Sequence, residues 1–216
     1  MQKKSSFFRL FPPRFWAIGS LLLSFNCLVY YGARLVNLHR VYHCVSLPLD
    51  AKIPFVPAFI FIYVLAFVQW GLGYLLLAHS EKTVCRRYVC GLLIAKALCG
   101  ICFLLYPTCM TARPIPSGTG LPNRLTALIF AADTPPDNLF PSIHCLESWM
   151  CLRLTLRTKA LPRWVKVGAV IFTILVFASV LLVKQHVLVD IPAGIAAGEL
   201  GLLLARSIIK ERKSER

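Results

Sequence analysis

Apolar runs long enough to cross a bilayer recur along this chain, and that feature leaves few folds open to it. An α-helix rises about 1.5 Å per residue, so about 20 apolar residues span a hydrocarbon core. Residues 15–33, 53–78, 88–106, 164–183 and 187–205 each approach that length, the third interrupted by Lys96 and the fifth by Glu199. Residues 142–156 make a weaker sixth run, since they include His144, Glu147 and Arg153, and the topology requires it. With 57% hydrophobic and only 15% charged residues, there is too much apolar surface for a soluble domain, where charged residues approach about a quarter of the total. The expected fold is all-α: a polytopic membrane protein built as a six-transmembrane-helix bundle.

Basic residues test that layout. With the N-terminus inside, Lys3, Lys4, Arg9 and Arg14 are cytoplasmic, as are Lys82, Arg86, Arg87, Arg153, Arg157, Lys159, Arg163, Lys166, Arg206, Lys210, Arg212, Lys213 and Arg216. Only Arg34, Arg40, Lys52, Arg113, Arg124 and Lys184 fall outside. An excess of Lys and Arg in short inner loops orients multispanning proteins, so both termini are expected in the cytoplasm. Residues 1–14 then form a cytoplasmic tail, 15–209 the membrane domain, and 210–216 a basic cytoplasmic tail. The first apolar run follows a basic N-terminus, as in a signal peptide. It is longer than a signal core and lacks a good small-residue cleavage site, so it is expected to stay as an anchor. The same bias accounts for the formal net charge of +15. Its basic residues form no stripe and no nucleic-acid motif, which points to a membrane partner and away from nucleic acid.

Nine cysteines raise the question of metal or disulfides. The closest pair, Cys99 and Cys102, lies within an expected span, where Cys acts as a small hydrophobe, and no second pair stands at zinc-finger spacing. No metal or other cofactor is expected. A bridge among Cys44, Cys109 and Cys145 stays open. The one long connection, residues 107–141, holds seven prolines, too many for a continuous helix. Loops of that length without their own structure are usually functional or disordered. The apolar residues of "IFAADTPPDNLF" favour packing at the membrane surface and a function.

Threading the chain through the bilayer brings an unusual set of residues to one side. Arg113 follows the third span, Ser142 and His144 open the fourth, and Lys184, His186 and Asp190 sit where the fifth meets the sixth. Taken singly, each has a bland account: an interfacial Lys or His is common, and Ser is a favoured helix N-cap. Taken together they suit an anionic phosphate. Arg113 and Lys184 supply charge-assisted donors, and "FPSIH" exposes backbone amides at a helix start. Two histidines from separate spans can divide phosphoryl transfer, one attacking phosphorus and one donating a proton to the leaving oxygen. Asp190, four residues after His186, would share its face on a helix and orient the imidazole.

"ARP", "FPSIH" and "SVLLVKQHVLVD" resemble, in order and separation, the three signature blocks of the type 2 phosphatidic acid phosphatase superfamily. "LPLDAKIPFVPAFIFIY" resembles an element of its small bacterial members near the inositol phosphorylceramide synthase-like branch. The resemblance covers residues 47–205 and implies a metal-independent enzyme in a bacterial plasma membrane with an extracytoplasmic site. It makes His186 the nucleophile that forms a phosphohistidine, Asp190 its support and His144 the acid for the leaving group, while Arg113 and Ser142 hold phosphate oxygens. Ser179 opens the third block. This chain departs from the pattern at Tyr106, which stands for a Lys, at Ile143, which stands for a Gly, and at Val180, which stands for an Arg. Lys184, four residues after Val180, is expected to replace the lost cation if the helix continues that far. Tyr106 can offer one hydrogen bond.

Lys96 and Glu199 lie at matching depths and are expected to pair structurally. Glu147, three residues after His144, is either a partner of the site or a polar interior residue. The favoured function is a lipid phosphatase acting on a lipid phosphate or polyprenyl diphosphate. The alternatives are a lipid phosphotransferase passing the group to an alcohol, and a non-catalytic lipid-binding protein.

Overall fold

The structure, a computed structural model, describes residues 9–110 and 113–210. Lys3, Lys4, Arg212, Lys213 and Arg216, counted above as cytoplasmic, lie outside the described residues together with most of both tails. Seven α-helices are bounded within the described residues, in order: α1 Pro13–Val36, α2 Ile60–His79, α3 Lys82–Leu105, α4 Leu121–Ala132, α5 Ile143–Arg157, α6 Arg163–Leu182 and α7 Asp190–Ile208. Two 3-10 turns, Asp50–Lys52 and Pro57–Phe59, precede α2, and no strand is formed among the described residues.

Five of these elements, α1, α2 with its leading turn, α3, α6 and α7, are long and apolar enough to cross a membrane. The weak sixth run is helical as well, but α5 has only 15 residues. Prolines and turns account for the boundaries that differ from expectation. α2 begins at Ile60 and not at residue 53, because Pro54 and Pro57 hold the chain out of helical geometry until the second 3-10 turn. α4 was not anticipated inside the proline-rich connection. Pro122 falls in its first turn, where a missing N–H removes no helical hydrogen bond, and Pro135 and Pro136 follow its end.

Helix ends sort into two poles. At one, Arg14 donates to the Ser80 carbonyl at 3.1 Å and Arg87 to the Ile209 carbonyl at 2.8 Å. At the other, Asn37 Nδ2 donates to Phe103 O at 2.8 Å, Val56 N to Leu182 O at 2.8 Å, and Ser142 N to Asp190 O at 3.3 Å. The second pole gathers the loops that carry every candidate site residue except those within helices.

Small residues let the backbones meet. A Cβ on Gly201 of α7 would collide with the Gly91 carbonyl of α3 and stand 2.9 Å from the Ala95 Cβ, and one on Gly194 would stand 2.5 Å from the Ser142 carbonyl. In lipid, where apolar burial gives helices little reason to associate, such close approach supplies the packing. Inside the bundle the ionisable residues pair differently from expectation. Lys96 Nζ lies 2.5 Å from Glu147 Oε1 and 2.9 Å from the Leu22 carbonyl, and Tyr74 donates to the same Glu147 oxygen at 3.0 Å. Glu199 instead pairs with Arg153, accepting from its Nη2 at 3.3 Å, and accepts from Trp149 Nε1 at 2.7 Å. Matching depth was thus not enough to pair Lys96 with Glu199; the azimuth of α5 turns Glu147 inward to Lys96, which resolves Glu147 as an interior partner.

The glycine contacts generate a paired test. Gly201→Ala should lower stability by about 1–3 kcal/mol through overpacking. Gly168→Ala, where a Cβ would meet nothing within 4 Å, should be neutral or slightly stabilising. Thermal unfolding of the detergent-solubilised variants measures both.

Candidate functional site

His144 enters the site because Ser142 starts α5. Ser142 is the N-cap, its hydroxyl accepting from Cys145 N at 3.2 Å, and so His144 is the second residue of the helix. Its imidazole stacks on Tyr63 at 4.2 Å between ring centroids, with Phe67 and Trp70 against its other sides. His186 reaches the same place from the connection between α6 and α7. The two rings lie 6.4 Å apart and line one cavity of about 280 Å³, together with Tyr30, Asp133, Asp137, Asn138 and Gln185.

His186 and Asp190 are joined, though by a route other than a shared helix. Residues 183–189 form turns, and α7 begins at Asp190. The Asp190 carboxylate turns back to accept from His186 Nδ1 and from Val187 N, both at 3.0 Å on Oδ2. A carboxylate only accepts, so the shared proton sits on Nδ1, and in the neutral ring the lone pair is then on Nε2.

Lys184 is not where the helical spacing would put it. α6 stops at Leu182 with a Schellman closure: Lys184 N bonds to Leu181 O at 3.1 Å and Gln185 N to Val180 O at 2.9 Å. Lys184 occupies the left-handed position of that motif, with φ of 54°, so the helix does not continue and the Val180 face ends. Its amine instead caps carbonyls of the turn before α2, Asp50 O at 3.1 Å and Ile53 O at 2.5 Å. It borders a second cavity of about 270 Å³ that His186 also lines.

Arg113 comes to the first cavity through its partners. It donates to Asp133 Oδ2 at 2.5 Å, to Asp133 O at 3.0 Å and to Gln185 Oε1 at 3.3 Å, with its guanidinium 4.9 Å from the Phe130 ring centroid. Ser142 is committed to the helix start, since its hydroxyl caps α5 and its N–H donates to Asp190 O. Tyr106 and Ser179 stand elsewhere: Tyr106 stacks on His43 at 4.3 Å and is about half exposed, and the buried Ser179 hydroxyl donates to Val176 O within its own helix at 2.7 Å. Glu147 belongs to the Lys96 pair in the core.

Several residues at the site gave no signal in sequence. Arg34, on the last turn of α1, grips Asp137 through Nε at 2.9 and 3.1 Å and Nη2 at 2.6 Å, and also reaches Asp133 at 3.2 Å. Tyr30 shares Asp133 through a very short hydrogen bond. The proline-rich connection is thereby pinned over the cavity by a residue counted in sequence only as an outer loop charge. Tyr42 also donates to Asp137, at 3.5 Å; burial first, and then the Asp137 charge, pushes its phenol above the ordinary range, so it remains a donor. Asp50 fixes the His186 turn, accepting from Leu188 N at 2.8 Å through Oδ1 and from Leu47 N at 2.7 Å through Oδ2. In sequence Asp50 is marked only by its place in "DAKIP", within the stretch that carries the resemblance to the small bacterial members.

Cys109 and Cys145 carry free thiols. Among the described residues no group of three His, Cys, Asp or Glu side chains is disposed to hold a metal ion. Comparison of the chain with protein-family models, curated proteins and solved structures finds no match.

Taken as chemistry, the arrangement offers a nucleophilic nitrogen on His186, backed by a carboxylate, and facing it a second imidazole in an aromatic box. The Arg113 guanidinium is bonded to two residues of the lining, Asp133 and Gln185. Breaking the loop clamp tests how it is held. Arg34→Met leaves Asp137, whose side chain is 1% exposed, without its cation and should destabilise the protein by about 3–5 kcal/mol. Arg34→Met combined with Asp137→Leu should recover part of the loss, measured by thermal unfolding.

Proposed function

We propose that this protein is a membrane-embedded lipid phosphatase related to the type 2 phosphatidic acid phosphatases, with six crossings and its site at the extracytoplasmic face. The observation that carries the reading is the meeting of His144 and His186, from separate elements, over one cavity, with His186 hydrogen bonded to Asp190. The separation of basic residues between the poles supports the orientation. Arg157, Arg163, Lys166 and Arg206 lie at the pole opposite the histidines, as inner charges do. α5, short for a full crossing, would complete the sixth span between neighbours and not against lipid.

In this reading His186 Nε2 attacks the phosphorus of a lipid phosphate. The P–N bond forms as the P–O bond to the lipid breaks, and the leaving oxygen takes a proton from His144, whose charged form the bound phosphate anion stabilises. Asp190 stabilises the positive charge that His186 acquires. Water then attacks the phosphohistidine, giving a proton back to His144, and the P–N bond breaks to release phosphate. The aromatic box around His144 excludes bulk water and holds the ring in one orientation. A headgroup at this depth is reached without the lipid tail leaving the bilayer.

A second reading, transfer to an alcohol in place of water, is favoured by the second cavity of about 270 Å³ lined by His186, which has room for an acceptor. The test is release of free phosphate from phosphatidate and polyprenyl diphosphate by the purified protein, with and without alcohols. His186→Ala should abolish turnover and the acid-labile phosphoprotein, and His144→Ala should slow it about 10²- to 10⁴-fold. Equal activity in wild type and His186→Ala would overturn the reading; a new lipid product in place of free phosphate would select transfer.

A further inference from the structure

Three nitrogens at or next to the histidine cavity are buried and have no hydrogen-bond partner: His144 Nε2 and Gln185 Nε2 belong to residues of its lining, and Arg113 Nε to the residue bonded to Gln185. They come from three segments far apart in the chain. His144 carries a role in the reading above, and Arg113 is one of the phosphate-holding residues that the resemblance implies. Gln185 has no such role, although it is only 3% exposed, lines the cavity with both histidines and immediately precedes the nucleophile.

The direction of its amide follows from its neighbour. Arginine has donors and no acceptor, so the Gln185 atom facing Arg113 Nη2 at 3.3 Å is the carbonyl Oε1. The NH₂ group is therefore the end left without a partner. A buried amide donor with nothing to bond is unfavourable until an acceptor arrives. Beside two imidazoles that bracket a phosphoryl group, that acceptor is a phosphate oxygen.

We infer that Gln185 is a phosphate-binding residue: its Oε1 orients Arg113, and its Nε2 donates to a non-bridging oxygen of the group transferred to His186. This rests on the phosphatase reading and adds to it the donor that takes the place Lys184 was expected to fill. The Schellman turn explains the exchange. With Lys184 in the left-handed position and its amine on the Asp50 and Ile53 carbonyls, the next residue is the one delivered to the cavity. A neutral amide also avoids setting a second cation against Arg113.

The test exploits the two ends of the amide. Gln185→Glu keeps an acceptor for Arg113 and replaces the donor with a carboxylate oxygen, which repels phosphate. In full-length protein purified in detergent, it should lower kcat/KM on phosphatidate or polyprenyl diphosphate about 10- to 100-fold, the worth of one hydrogen bond to a charged group. Binding of orthovanadate, the phosphate mimic, should weaken by a similar factor. Wild-type activity and orthovanadate binding in Gln185→Glu would mean that Gln185 only positions Arg113, and the inference falls. If Gln185→Glu does not fold, Gln185→Met, of similar volume and without a donor, decides it: unaltered orthovanadate binding overturns the inference. A wild type that neither hydrolyses these lipids nor binds orthovanadate removes the phosphatase reading and this inference together, whereas an active wild type with unaltered variants removes this inference alone.

Discussion

The carbonyl and carboxylate of Asp190 join the three segments that bear the site. Its carbonyl accepts from Ser142 N, the residue that starts the helix carrying His144, and its carboxylate accepts from His186 and Val187. One turn further along α7, Gly194 lets the helix lie against the Ser142 carbonyl. The separation of the two imidazoles thus depends on a polar bond and a steric allowance at adjacent points of α7. Carboxylate and amide bonds of this kind gain strength where water is scarce, which also makes the joint intolerant of a lost partner.

Buried charge is used twice more, and both times it ties distant segments. Lys96, Glu147 and Tyr74 link α3, α5 and α2, with Lys96 also reaching a carbonyl of α1. Arg34 joins α1 to the connection that runs into α5, through Asp133 and Asp137. Burying such groups is costly unless they are paired, and the pairing fixes which helix faces which where apolar packing is indifferent to rotation. Arg113 draws on one of these acidic residues, Asp133, so loop anchoring and the Arg113 cation share one network.

Much of the helical layout could be read directly from composition. Runs of apolar residues near bilayer thickness become helices because a helix satisfies its backbone within the run itself, where lipid offers no partners. The histidines and Asp190 were legible too, since isolated ionisable residues at the ends of apolar runs are expensive to keep there. Lys184 was misplaced because i,i+4 reasoning assumes an unbroken helix, and a Schellman closure ends α6 two residues earlier. The Lys96 partner was missed because depth follows from counting residues, whereas the facing azimuth follows from how α5 packs. α4 was hidden by prolines that bound a short helix as readily as they forbid a long one.

By itself the sequence determined that the chain is helical and suited to lipid, with five runs long enough to cross and its basic residues sorted between the two ends. Length, apolarity and charge are local properties, and bilayer physics acts on them directly. Only the tertiary structure decided that Asp133, Asp137 and Gln185 share the cavity of the two histidines, that Arg34 holds the two aspartates, that Asp50 and Lys184 border the second cavity beside His186, and that Tyr106 and Ser179 stand elsewhere. Those placements depend on loop closure and on the rotation of each helix about its axis. Both are settled by contacts between residues about 70 to 140 positions apart, which no local pattern records.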